Sequence, residues 1–139
     1  MPAVGLLTGT VFAPKLVRIE AYDTNNNLVG AGWTNEDGSF EFYAASGTNS
    51  VVAMASGFLS ARRSVTITDG STTGLPPIFL IAGDIDNNNM IDHFDALTIG
   101  MSYNATTPSE ADLNNDGIIN VLDLELLAKN YRRVGPVDW

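Results

Sequence analysis

The stretch that decides the reading is Asp84-Ile85-Asp86-Asn87-Asn88-Asn89-Met90-Ile91-Asp92-His93-Phe94-Asp95, because a second stretch repeats it: Asp112-Leu113-Asn114-Asn115-Asp116-Gly117-Ile118-Ile119-Asn120-Val121-Leu122-Asp123. Both place Asp or Asn at positions 1, 3, 5, 9 and 12 of twelve, and both carry isoleucine at position 8. The two are offset by 28 residues, from Asp84 to Asp112. Calcium is a hard ion that takes about six to eight oxygen ligands. A short loop can supply them when alternate side chains turn inward and the position 7 carbonyl fills the remaining gap. One Asn/Asp-rich turn is common; two in register are a strong signal. The candidate ligands of the first loop are Asp84, Asp86, Asn88, the Met90 carbonyl, Asp92 and Asp95. Those of the second are Asp112, Asn114, Asp116, the Ile118 carbonyl, Asn120 and Asp123, with position 9 able to act through a water. Two Ca2+ ions are therefore expected, and oxygen-only ligation argues against zinc or copper.

The sequence that follows each loop keeps the same offset. Phe94 matches Leu122, Ile99 matches Leu127, Gly100 matches Ala128 and Tyr103 matches Tyr131. A loop running directly into a short helix, closed by Asp rather than Glu at position 12 (Asp95 and Asp123), resembles the dockerin family of bacterial cellulosomes and other secreted assemblies. The likeness spans roughly residues 83–133. Loop one departs from it with Asn89 where a glycine normally makes the sharp turn, a position Asn tolerates better than most residues. Positions 10 and 11, which carry partner recognition in many dockerins, are His93-Phe94 and Val121-Leu122 here. The resemblance thus implies a protein partner of cohesin-like type, calcium dependence, an extracellular location, and His93, Phe94, Val121 and Leu122 as partner-binding residues.

Working outward, residues 1–82 carry short β-branched or alternating runs between Asn/Asp/Gly turns. The expected strands are Leu7–Phe12, Leu16–Tyr22, Leu28–Thr34, Ser39–Tyr43, Ser50–Ala55, Ser64–Thr68 and Ile78–Ala82. Regular short strands with such punctuation predict an antiparallel β-sandwich of about seven strands. Gly9-Thr10-Val11, Thr34-Asn35-Glu36-Asp37-Gly38-Ser39-Phe40 and Ser56-Gly57-Phe58-Leu59 resemble the carboxypeptidase-regulatory-like (transthyretin-like) sandwich family. The expected architecture is an all-β sandwich over 1–82, then a small α module with two calcium loop–helix repeats over 83–139. In the helices Leu97, Ile99, Leu124, Leu126 and Leu127 are expected mostly in the core, and Trp139 is expected to fold back onto the C-terminal module.

Composition narrows the function classes. With no cysteine there are no disulfides and no thiol chemistry, which leaves metal as the staple of a small module. The net charge is −9, and −7 of it falls from Gly83 onward, where ten acidic residues face three basic ones. Such a chain is a poor nucleic-acid binder, and no apolar run approaches the roughly 20 residues of a membrane span. The start lacks the features of a secretory signal, so for a secreted chain we expect a mature or excised form. His93 is the only histidine and sits in a metal loop, and Glu20, Glu36, Glu41, Glu110 and Glu125 show no convergence. An enzyme is not expected. Three functions stay open: docking to a cohesin-like receptor or to identical subunits; a self-assembling surface fibre exchanging its Met1–Phe12 segment; and a carbohydrate-binding accessory domain using Tyr22, Trp33, Phe40, Phe42 and Tyr43.

Overall fold

The computed structural model describes residues 3–139, so Met1 and Pro2 of the N-terminal segment lie outside the described residues. The chain is mostly β and forms two compact units. One comprises Met1–Met54, Ala61–Phe79 and Asp138–Trp139; the other comprises Ala55–Ser60 and Leu80–Val137.

The first unit is a β-sandwich. One sheet centres on β1 (Val4–Phe12), paired antiparallel with β4 (Ser39–Ala45) from Val4↔Ala45 to Thr10↔Ser39. The other runs β7-β5-β2-β3, where β2 is Arg18–Asp23, β3 Leu28–Trp33, β5 Thr48–Met54 and β7 Ala61–Ser64. Alternate residues of β1, β2, β4 and β5 point inward, as a period of two requires. Leu7 and Val11, Ile19 and Ala21, Phe40 and Ala44, and Val51 and Ala53 are all buried.

The sheet is not wholly antiparallel as the sequence reading expects. After β7 the chain crosses to the first sheet, and β8 (Thr72–Gly74) and β9 (Ile78–Phe79) both pair parallel with β1. A crossover, unlike a hairpin, returns a strand in the same direction. The strand expected at Ser64–Thr68 ends where it should begin, because β7 is Ala61–Ser64 and Val65–Thr68 is irregular. Trp139 is buried, but within the sandwich unit and not the C-terminal module. Its ring meets Phe40 edge-on with centroids 5.9 Å apart, and its indole N–H donates to the Pro76 carbonyl at 2.8 Å. Of the aromatic residues expected to form a platform, Phe40 is buried, while Trp33 and Tyr43 are exposed.

The second unit holds the two helices, α1 (His93–Met101) and α2 (Val121–Lys129), a 3-10 turn at Ser109–Ala111, and a two-stranded ribbon of β6 (Gly57–Phe58) and β10 (Ala82–Asp84). Its core repeats at the 28-residue offset: Ile85 with Leu113, Ile91 with Ile119, and Ile99 with Leu127 are all buried. Phe58 and Leu59 complete it from the Ala55–Ser60 segment. Gly57 permits that approach. Its φ is +85°, and a Cβ there would meet the Glu110 carbonyl.

Candidate metal centres

Each loop is wound around its first and last carboxylates. Asp84 accepts from the backbone N–H groups of Asn88 (3.1 Å) and Asn89 (2.9 Å), and Asp112 from those of Asp116 (3.2 Å) and Gly117 (2.9 Å). Asp95 accepts from Ile85 (2.8 Å), Asp86 (3.0 Å) and Asp92 (2.9 Å). Asp123 does the same from Leu113 (2.8 Å), Asn114 (3.3 Å) and Asn120 (2.9 Å). The turns themselves match. Asn87 and Asn115 have φ of +59° and +56°, and Asn89 stands at +65° where Gly117 stands at +91°. Asn thus adopts at position 6 the left-handed conformation that glycine normally supplies, as its short polar side chain permits.

This winding gathers two acidic clusters. Asp84, Asp86 and Asp95 bring carboxylate oxygens within 4.8 Å of one another, and so do Asp112, Asp116 and Asp123. Asp92 is not part of the first cluster; its Oδ1 accepts from the Phe94 N–H at 3.1 Å and caps α1. Asn120 caps α2 in the same way through the Leu122 N–H at 3.0 Å. Asn88 Oδ1 accepts from Met90 N–H, and Asp116 Oδ1 from Ile118 N–H, so the side chain at position 5 shapes the peptide at position 7 in both loops.

The electrostatics call for a cation. Burial pushes the Asp84 carboxyl up, against the lowering effect of the Asn89 and Asn88 N–H groups, and the charge of Asp95 raises it further. Burial likewise pushes Asp95 up. In the second loop Asn114 Oδ1 is buried without a hydrogen-bond partner, the one such side-chain atom among the described residues. Its amide nitrogen lies 3.1 Å from Asp116 Oδ2, which puts this orphaned acceptor beside the cluster. An unmet buried acceptor costs about 1–3 kcal/mol. Two like charges 4 Å apart repel by about 4 kcal/mol at a surface-like dielectric. A hard divalent cation relieves both, and the donor set is oxygen throughout, so the residues fit calcium.

The sequence reading missed that Asp95 and Asp123 also close capping boxes, since each accepts from the N-cap backbone three residues earlier. The signal was present as Asp92-x-x-Asp95 and Asn120-x-x-Asp123. Of the helix positions expected mostly in the core, Leu97 and Leu124 are exposed, and Ile99 and Leu127 alone are fully buried. His93 and Val121 are exposed at the first positions of their helices, followed by Phe94 at 57 % and Leu122 at 48 % exposure. On α1, Phe94, Leu97 and Met101 form an exposed apolar stripe at i, i+3 and i+7. The residues at the matching positions of α2 are Leu122, Glu125 and Lys129, so the repeats differ on this face.

Comparison with known proteins agrees with this geometry. The family model of the dockerin type I domain matches residues 82–131. No curated protein matches the chain. Among solved structures, a chain of a type II cohesin–X–dockerin complex from Acetivibrio cellulolyticus, a C-terminal interface mutant, matches at TM-score 0.71 and 21 % identity, covering 94 % of this chain and 97 % of that one. An N-terminal interface mutant of the same kind of complex matches at TM-score 0.71 and 24 % identity over the same shares. At such identities the likeness is one of fold. Dockerin domains are calcium-binding, and the two acidic clusters lie within the matched segment. Residues 82–131 thus match the dockerin type I domain, and the first unit of the chain is a β-sandwich.

Proposed function

We propose that this chain is a non-enzymatic, calcium-stabilised docking element of an extracellular assembly. In it residues 83–139 present the docking face, residues 1–82 form the accompanying sandwich, and the partner is a cohesin-type domain. The observation that carries the reading is the pair of acidic clusters at a fixed 28-residue offset inside a dockerin match. Two ions, held by Asp84, Asp86, Asn88, Met90, Asp92 and Asp95 and by Asp112, Asn114, Asp116, Ile118, Asn120 and Asp123, would neutralise the clusters and fix the first turns of both helices. Those turns carry His93, Phe94, Val121 and Leu122, which we assign to the partner contact. The similar structures are of complexes with a cohesin, which favours that partner class over identical subunits. Fibre formation by exchange of the N-terminal segment has less support, since β1 is hydrogen-bonded on both sides within one chain. Carbohydrate binding has less support, since Phe40 of the expected aromatic platform is buried.

The test is calorimetric titration of the chain with a purified type II cohesin domain, with and without calcium. Phe94→Asp should fold and bind calcium as the wild type does, yet lose about 2 kcal/mol or more of cohesin affinity, as a central apolar anchor would. Unaltered cohesin binding by the folded variant contradicts this face, and self-association of the wild type without cohesin favours the subunit reading.

A further inference from the structure

Beyond the loops, the backbone joins the two repeats in a crossed pattern. Ile91, at position 8 of loop one, donates its N–H to the Arg133 carbonyl at 2.9 Å and accepts from the Arg132 N–H at 2.7 Å. Ile119, at position 8 of loop two, donates to the Ala105 carbonyl at 2.8 Å and accepts from the Asn104 N–H at 2.7 Å. Arg132 and Arg133 follow α2, and Asn104 and Ala105 follow α1, so each loop is held by the segment that trails the other loop's helix. Asn104 and Arg132, equivalent at the 28-residue offset, both have left-handed backbone, with φ of +66° and +72°. The side chains of Ile91 and Ile119 are fully buried, so neither peptide can turn to relieve a misfit.

The peptide group is planar and trans, so its N–H and the preceding C=O point in opposite directions. Fixing the Ile91 N–H on Arg133 therefore aims the Met90 carbonyl away from Arg133, and fixing the Ile119 N–H on Ala105 aims the Ile118 carbonyl away from Ala105. Those carbonyls are the backbone ligands at position 7 of the two loops. The geometry points to reciprocal coupling of the calcium sites, in which the Asn104–Ala105 and Arg132–Arg133 segments act as positioning residues for the other repeat's carbonyl ligand. Filling site two orders Asp123 and α2, which seats Arg132–Arg133 on Ile91 and prepares site one. Filling site one orders Asp95 and α1, which seats Asn104–Ala105 on Ile119 and prepares site two. This inference rests on the calcium reading proposed above.

Calcium titration of the full chain by calorimetry tests it. Asp112→Ala, which leaves every ligand of site one in place, is expected to weaken the remaining site by about tenfold, and Asp84→Ala to weaken site two by a similar factor, within the usual range of coupling between sites. Asn104→Pro touches no ligand but removes the N–H donated to Ile119 and excludes positive φ. It should weaken one of the two binding steps by about tenfold. Asn104→Gly keeps the N–H and tolerates positive φ, so both steps should stay near wild type. Single-site variants whose remaining ion binds with undiminished affinity overturn the coupling while leaving the calcium reading intact, as does an Asn104→Pro protein that titrates like wild type. A wild-type chain that takes up no calcium overturns both.

Discussion

Asp84, Asp95, Asp112 and Asp123 each serve two masters, accepting two or three backbone N–H groups while remaining within reach of other carboxylates. The Asx spacing made these residues legible in sequence, because oxygen ligation needs alternate positions. The orphaned Asn114 Oδ1 was not, since burial of a single atom depends on the finished turn. The raised Asp84 and Asp95 pKa values have a sign consequence. Without metal, the folded loop binds protons more tightly than the unfolded chain, whose aspartates titrate near about 3.9. Stability of the second unit then falls as pH rises through this window. With calcium bound, protons compete with the ion and the dependence reverses. Glu20 behaves oppositely to Asp84 and Asp95. The Tyr22 hydroxyl at 2.5 Å, and then Arg18, hold its pKa down, so its contribution to the first unit is lost as pH falls. Both helices lie in the second unit and both tryptophans, Trp33 and Trp139, in the first. Acid titration in chelator followed by helical dichroism and by tryptophan emission should therefore give slopes of opposite sign. Parallel slopes would contradict the assignment.

At the scale of elements, the helices were readable as existing but not as oriented. Nine residues make a helix too short to stand alone in water, so each depends on one buried stripe. Leucines recur at positions that could be either stripe or surface, and periodicity over so few residues cannot separate them. The structure resolves this through Ile99 and Leu127, which are about 1 % exposed, against 55 % for Leu97. Ile99→Ala should therefore destabilise the second unit by about 2–5 kcal/mol, while Leu97→Ala should stay within about 0.5 kcal/mol. Urea unfolding followed by helical dichroism distinguishes the two; equal effects would place α1 in the wrong rotation. The parallel strands β8 and β9 were unreadable for a different reason. Strand runs reveal pleat and burial, but pairing direction is set by a crossover between sheets that leaves no local signature.

For the whole molecule, the sequence separates a sandwich part from a part with two Asp/Asn loops, but not the way the chain alternates between the two units. Asp138–Trp139 closes the first unit and Ala55–Ser60 the second, each from far along the chain. A terminal Trp reads as buried on hydrophobic grounds; which core receives it depends on Phe40 and the Pro76 carbonyl, brought together only by the fold. Trp139→Ala should cost the first unit about 3–5 kcal/mol, read from the emission of the remaining Trp33 on unfolding. No helix among the described residues is long and apolar enough to cross a membrane. The central claim is that calcium holds the second unit together. It is tested most directly by far-ultraviolet dichroism and thermal unfolding of the intact chain with saturating calcium and then with excess chelator. At a hundredfold excess of ion over Kd each site adds about 2.7 kcal/mol. The account predicts loss of the helical signal, or a marked fall in its unfolding temperature, on chelation, and recovery when calcium is restored. A helical signal and unfolding temperature unchanged by chelator would contradict it.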